Sequence, residues 1–113
     1  EKGNQLRVLS FIVQKYIENI WVFTDKELLH YGGSRVKEEL RRLLNKKFDI
    51  RIWVLVTSFQ PLTVYFHQEA YLRLTSGSYS FNSLSNHYEH LTNYSINRLK
   101  SSEDDSFVLL STL

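Results

Sequence analysis

The chain has 113 residues and a net charge of +2, enough for one small domain and too little for two. With 42% hydrophobic and 23% charged residues, and with 2 Trp, 7 Tyr and 7 Phe, it has the composition of a folded protein, not a disordered one. The lack of cysteine excludes a disulfide framework and a Cys-based zinc site, no apolar run approaches the roughly 18 to 20 residues of a membrane span, and the charge is too small to imply nucleic acid by itself.

Leu6 to Ile17 alternates loosely, is rich in β-branched and aromatic residues, and predicts a mostly buried strand; Ile20 to Phe23 is a short apolar continuation. His30-Tyr31-Gly32-Gly33 is a turn signal. Ser34 then reads as a helix N-cap, its hydroxyl oxygen placed to accept from a free N–H of the first turn. The helix should run to about Asn45, with Val36, Leu40, Leu43 and Leu44 on one face. Phe48 to Phe59 reads as a central strand, Gln60-Pro61 breaks it, and Leu62 to Phe66 is its hairpin partner. His67 to Ala70 predicts a second turn and Tyr71 to Leu74 a third short strand. The serine-rich stretch Thr75 to Asn86 predicts a loop, His90 to Ile96 a short ordered segment, and Lys100 to Ser106 a mobile polar loop. These elements make an α+β arrangement with antiparallel pairing at the hairpin. The absence of methionine and the apolar run Phe107 to Leu110 close to the last residue are expected of a piece of a longer protein.

Lys47, Asp49 and Arg51 are spaced by two, so on a strand they share one face. Charges on an otherwise apolar strand are costly unless paired, so this face reads as a structural ion-pair set at a sheet edge or as a site for a charged ligand. Arg51 and Arg73 carry the planar guanidinium that grips a carboxylate or phosphate with two parallel hydrogen bonds. Arg73 taken alone reads equally as a surface arginine, and Gln14-Lys15-Tyr16 taken alone as a plain core strand. Thr92 and Asn93 offer a hydroxyl and an amide, and His90 is near enough in sequence to orient them. His87, Glu89 and His90 have the spacing of part of a metal site, but no further ligand is evident, and no metal site is expected; His30 and His67 are expected at the surface.

Four strings in order, Gln14 to Asn19, Lys47 to Arg51, Tyr71 to Arg73 and His90 to Ile96, together with Trp53 to Ser58 and Gln60-Pro61-Leu62, closely resemble the tubulin–tyrosine ligase-like family. The resemblance runs from about Val13 to Asn97. It implies that the chain is the middle portion of an ATP-grasp domain, mainly antiparallel strands with one inserted helix. It also implies an ATP-dependent ligase that joins glycine or glutamate to glutamate side chains of tubulin. A carboxylate resists attack by an amine, and ATP can activate it as an acyl-phosphate, so positioning and electrostatics should dominate such a site. By the same resemblance, Gln14, Lys15, Tyr16 and Ile17 form a hinge beside adenine, with the backbone of Tyr16 or Ile17 at the base edge. Lys47 would meet phosphate or adenine, Asp49 a ribose hydroxyl, and Arg51 and Arg73 the acceptor carboxylate and transferred phosphate. Thr92 and Asn93 would border the ribose and the substrate. The implied cofactors are ATP and magnesium. The implied partners are tubulin or microtubules with their acidic C-terminal tails, without nucleic acid or membrane. The implied setting is cytoplasmic and cytoskeletal, with cilium or axoneme plausible.

Two features depart from the family pattern. Asn19 and Lys47 are separated by 27 residues where the family has a short loop, which reads as an insertion at about 20–46. The family's magnesium ligands fall later than Leu113 and its phosphate-covering segment earlier than Glu1, so this segment alone is expected to be inactive. A non-catalytic microtubule-associated homologue would share the fold; retention of Lys47, Asp49, Arg51 and Arg73 favours the enzyme. A nucleic-acid binder would need an RNP-like string, and none is present. The donor signals conflict: Phe48 to Trp53 and Tyr71 to Arg73 are similar to the glycine-adding branch, His90 to Asn97 to the glutamate-adding branch. Glycine is favoured over glutamate, with tyrosine behind both. Finally, Ser34 to Lys47 holds Arg35, Lys37, Arg41, Arg42, Lys46 and Lys47 against Glu38 and Glu39, a local charge of +4. That is either a basic face that attracts acidic tails or a solvated face behind the apolar stripe.

Overall fold

A computed structural model describes residues 12–30 and 34–113, and the side chains of 34–37 are outside the described set. In chain order the elements are α1 (Asp25–His30), α2 (Ser34–Leu43), β1 (Lys46–Phe59), β2 (Leu62–Ser78), α3 (His87–His90), α4 (Tyr94–Asn97), α5 (Glu103–Ser106), β3 (Phe107–Leu109) and a closing 3₁₀ turn, Leu110–Thr112. The fold is a small α+β arrangement around one antiparallel sheet in the order β1-β2-β3.

α1 starts with one half of a capping box: the Glu27 carboxylate returns to the Thr24 N–H at 2.8 Å and also accepts from the Thr24 hydroxyl. α2 presents Leu40 and Leu43 to the sheet, where Leu72, Leu74 and Val108 complete a buried core. Each such side chain stabilises the fold by about 1.5–3 kcal/mol relative to exposure. Phe23, Leu28, Phe48 and Leu113 pack around this core, and Trp21 and Phe23 stack against Phe48. The helix ends at Leu43, short of the expected Asn45, because Asn45 adopts a left-handed conformation (φ 56°) that a helix cannot continue. There its N–H donates to the Phe23 carbonyl and its carbonyl accepts from the Tyr79 N–H, which fixes the entry into β1.

Several sequence expectations are corrected. Residues 12–17 form no strand and are mostly exposed, so the predicted buried strand is absent over its described part; Leu6 to Phe11 lie outside the described residues, as does most of the turn at Tyr31-Gly32-Gly33. β1 is an edge strand of the described sheet, not a central one. The turn expected at His67 to Ala70 is a bulge within one long strand. Ile52 faces Ala70 while Val54 faces Phe66, so His67, Gln68 and Glu69 together oppose Trp53. The His67 Nδ1 accepts from the Glu69 N–H at 3.1 Å and holds the bulge. Thr75 to Ser78 extends β2 instead of opening a loop. The stretch from Lys100 to Ser106 closes in α5, whose Ser102 cap accepts from the Asp105 N–H.

Candidate active site

Pleating puts Asp49 and Arg51 of β1 on the same face as Arg73 and Tyr71 of β2, since Asp49 pairs with Arg73 and Arg51 with Tyr71. The opposite face carries Phe48, Leu72 and Leu74 into the core. Arg73 grips Asp49 bidentately, Nε to Oδ1 at 2.9 Å and Nη2 to Oδ2 at 2.5 Å. Arg51 approaches the same carboxylate more loosely, Nη2 to Oδ2 at 3.5 Å, and the Thr92 hydroxyl donates to Oδ2 at 3.2 Å. Burial alone would push the Asp49 carboxyl up, but the hydrogen bonds and charge of Arg73, then the charge of Arg51 and the Thr92 hydroxyl, hold it below the ordinary carboxylate range. Arg73 is raised in turn by its bonds to Asp49. The two guanidiniums are unequal: the Arg73 side chain is 16% exposed and held to its partner by two short bonds, the Arg51 side chain 50% exposed and only grazing it. Arg51 is the more exposed and more loosely held of the two, and so the readier to meet a ligand.

A second group adjoins the first. The Tyr16 hydroxyl lies 2.6 Å from His90 Nδ1, and Lys47 sits over the Tyr16 ring at 4.7 Å with its ammonium 3.4 Å from that hydroxyl. Lys47 therefore turns to Tyr16 and Asp49 to Arg73, although both stand on β1. The two groups are joined by the backbone His90-Leu91-Thr92: His90 is buried against Tyr16, Thr92 against Asp49. Of the other hinge residues, Gln14, Lys15 and Ile17 are exposed, and Asn93 is exposed at the start of α4 without a side-chain capping bond.

What holds this second group in place is Asn97, a residue to which sequence reasoning gave no role. Fully buried, it accepts from the Ser76 N–H (2.8 Å) and hydroxyl (2.7 Å) and donates to the carbonyls of Leu91 (2.7 Å) and Asn93 (3.0 Å). It so fastens the Thr92-Asn93 segment to β2. Gly77 lets α3 approach β2 closely, since a Cβ there would stand 2.9 Å from the Glu89 Cγ.

Lys15 to Asn19 line an open cleft of about 400 Å³. Arg51, Ile52, Trp53, Tyr71 and Arg73 line another of about 240 Å³. A larger concavity, about 560 Å³, lies between α2, β2, α5 and β3, and none of the sequence-predicted site residues borders it. Glu39, Glu103 and Asp104 outnumber Arg42 in its lining, and this net negative character disfavours phosphate there. The described donor set fits ATP: one ammonium, one underused guanidinium and a short run of accessible backbone. It does not fit magnesium, because no group of three His, Asp or Glu among the described residues can hold a metal, and Asp49 is already engaged.

The family model of the tubulin-tyrosine ligase family matches residues 4–108. The chain is 47% identical over 89 residues to tubulin glycylase 3F of Tetrahymena thermophila, which covers 79% of this chain and 9% of that protein. It is 42% identical over 90 residues to tubulin glycylase 3A of Drosophila melanogaster, 78% of this chain and 7% of that one. To the probable tubulin polyglutamylase TTLL2 of Mus musculus it is 45% identical over 87 residues, 74% of this chain and 16% of that protein. The chain thus spans a small fraction of the length of the relatives it matches.

Proposed function

The chain belongs to the tubulin-tyrosine ligase family, and we propose that the full-length protein carrying it is an ATP-dependent ligase that attaches glycine or glutamate to glutamate side chains of tubulin, within an ATP-grasp domain of which residues 1–113 are the middle part and residues 20–46 an insertion. The observation that supports this reading most is the convergence of Asp49, Arg51, Arg73 and Thr92 on one sheet face beside Tyr16 and Lys47.

In this reading, ATP supplies the phosphoryl group that activates the acceptor carboxylate. A carboxylate oxygen attacks the γ-phosphorus and ADP leaves; the donor amine then attacks the acyl carbon, loses a proton, and phosphate leaves. Gln14, Lys15, Tyr16 and Ile17 offer the adenine a backbone edge, and Lys47 brings a positive charge to the nucleotide. Asp49 orders the site: by gripping Arg73 bidentately it fixes that guanidinium, while the loosely held Arg51 is available to neutralise the acceptor carboxylate and the developing acyl-phosphate. Thr92 and Asn93 border the ribose and substrate. Magnesium would be held by residues outside this segment.

Glycine is the favoured donor, on the string Phe48 to Trp53; the string His90 to Asn97 favours glutamate as the second reading. Such an enzyme acts where tubulin is, on the cytoskeleton, cilium or axoneme included. The test is a ligation assay of the full-length protein on tubulin with labelled glycine and glutamate in parallel. Incorporation of one label dependent on ATP supports the reading, and incorporation of neither refutes it in favour of a non-catalytic homologue.

A further inference from the structure

Residues 12–19 form neither helix nor strand, and their side chains are exposed except Tyr16. A segment without backbone pairing must be held through side chains if it is to present a fixed edge to a base. Here the ties pass through Tyr16, and through the Glu18 carbonyl, which accepts from the Tyr79 hydroxyl at 2.6 Å. His90 is at the centre of these contacts. Its ring meets Tyr16 edge-on at 5.6 Å and Tyr79 at 5.4 Å. Its Nε2 lies 3.0 Å from the Ser83 carbonyl, which can only accept, so in the neutral ring the proton sits on Nε2 and Nδ1 accepts from the Tyr16 O–H. The Tyr16 oxygen has a lone pair to spare for Lys47. The hydrogen bonds from Lys47 to Tyr16, from Tyr16 to His90 and from His90 to Ser83 then all run in one direction.

Building on the nucleotide-hinge reading of residues 14–17, we propose that His90 is a positioning residue for that hinge: its imidazole clasps the Tyr16 hydroxyl beneath Lys47 and fixes the backbone edge that adenine meets. His90 touches no reacting atom. It acts through Tyr16, and it is two residues before Thr92, which donates to Asp49, so one short segment sets both halves of the site. Tyr16 is not part of the buried core of Leu40, Leu43, Leu72, Leu74 and Val108, so opening the clasp frees the hinge without unfolding the domain.

The test is steady-state kinetics and ATP binding on the full-length protein with Tyr16→Phe, His90→Gln, His90→Asn and the double variant Tyr16→Phe/His90→Gln. The Asn amide oxygen takes the place of Nδ1, whereas Gln puts its polar end near Nε2. Tyr16→Phe and His90→Gln are each expected to raise the KM for ATP about tenfold, a typical effect of one lost buried hydrogen bond, with kcat at saturating ATP changed less than about twofold. His90→Asn should stay near wild type, and the double variant should be no worse than the singles. Tyr16→Phe removes one hydroxyl and leaves no void, so it keeps the test valid if a His90 variant folds poorly. Multiplying effects in the double variant, or a fall in kcat at unchanged KM, overturns the clasp. If the wild type binds ATP and the variants bind it equally, the clasp alone falls; if the wild type binds no ATP, the hinge reading falls and the clasp with it.

Discussion

Two arginines that the sequence treats alike are separated by their surroundings, and this gives the sharpest test of the site. Arg51→Ala deletes a half-exposed guanidinium whose contact with Asp49 is 3.5 Å long. An exposed pair of that kind contributes about 0–1 kcal/mol to stability, so the fold should barely notice. If Arg51 neutralises the acceptor carboxylate and the forming acyl-phosphate, its loss removes a donor aimed at developing charge. That costs on the order of 3 kcal/mol in the transition state, about a hundredfold in turnover. Arg73→Ala is a different perturbation. It removes two short bonds and leaves the Asp49 carboxylate with only Thr92 and a distant Arg51. Charge-assisted bonds of this kind carry about 1.5–3 kcal/mol each, less some relief because Asp49 is partly solvated, so Arg73→Ala should lower stability by about 2 kcal/mol and activity along with it. The assay is ligation of labelled amino acid to tubulin by the full-length variants, with thermal melting of the same preparations. Arg51→Ala with wild-type turnover refutes the assignment of the clamp. A melting loss as large as that of Arg73→Ala refutes the argument that Arg51 is free for a ligand.

The depressed Asp49 carboxyl contributes stability that is present above the unfolded carboxylate value of about 3.9 and lost as the pH falls through its lower folded value; melting midpoints of wild type and Asp49→Asn should therefore differ at neutral pH and converge in acid, and a constant gap refutes the linkage. Asn97→Ala orphans the Ser76 N–H and the Leu91 carbonyl, while the Asn93 carbonyl keeps the Ile96 and Asn97 N–H groups, and should destabilise by about 2–4 kcal/mol in urea unfolding; a loss under about 0.5 kcal/mol would show that Thr92-Asn93 is held otherwise. The 113-residue chain by itself leaves Trp53, Leu55, Phe59, Tyr65 and Phe66 exposed along an edge ribbon, so light scattering should find it self-associated; a monodisperse monomer at about 100 μM contradicts this. Arg41→Glu should leave microtubule binding unchanged at low and high salt, because Arg41 faces Glu38 at 3.6 Å and the neighbouring Arg42 is bound to Glu39 and the Phe107 carbonyl; weaker binding at low salt only would restore a steering role for the helix.

Local signals located the hairpin and α2 because their causes are local: Gln60-Pro61 for the turn and a 3.6-residue apolar stripe for the helix. The length of β2 was hidden because the His67 to Ala70 polarity that marks a turn also marks a bulge, and only the pairing of Ile52 with Ala70 and Val54 with Phe66 decides between them. Val13 to Ile17 has strand-like composition, but a strand needs a neighbour, and none of the described strands pairs with it. The continuous apolar run of β1 reads as buried on both faces, yet the described sheet covers one edge and part of one face.

At the site, the spacing of two between Lys47, Asp49 and Arg51 was enough to put Asp49 and Arg51 together, because strand pleat converts spacing directly into a shared face. Lys47 finds a different partner from Asp49 and Arg51. The register shifts between Lys46 and Phe48, and a tyrosine 31 residues earlier captures the ammonium. Asn97 was illegible for a related reason: its partners Ser76 and Leu91 come from two other elements, and no local pattern announces a residue that joins them. The net charge of +4 counted from Ser34 to Lys47 was legible as a number and not as a field. Arg42 is spent on Glu39 and on the Phe107 carbonyl, and Lys46 is partly desolvated, which lowers its pKa, with Asp105 nearby offsetting this in part. Paired charges act as dipoles whose reach is short compared with that of a monopole, and solvent ions shorten it further to within a Debye length of about 8–10 Å. Among the described cations of the candidate site, Arg51 on the sheet and Lys47 above Tyr16 are held more loosely than Arg73.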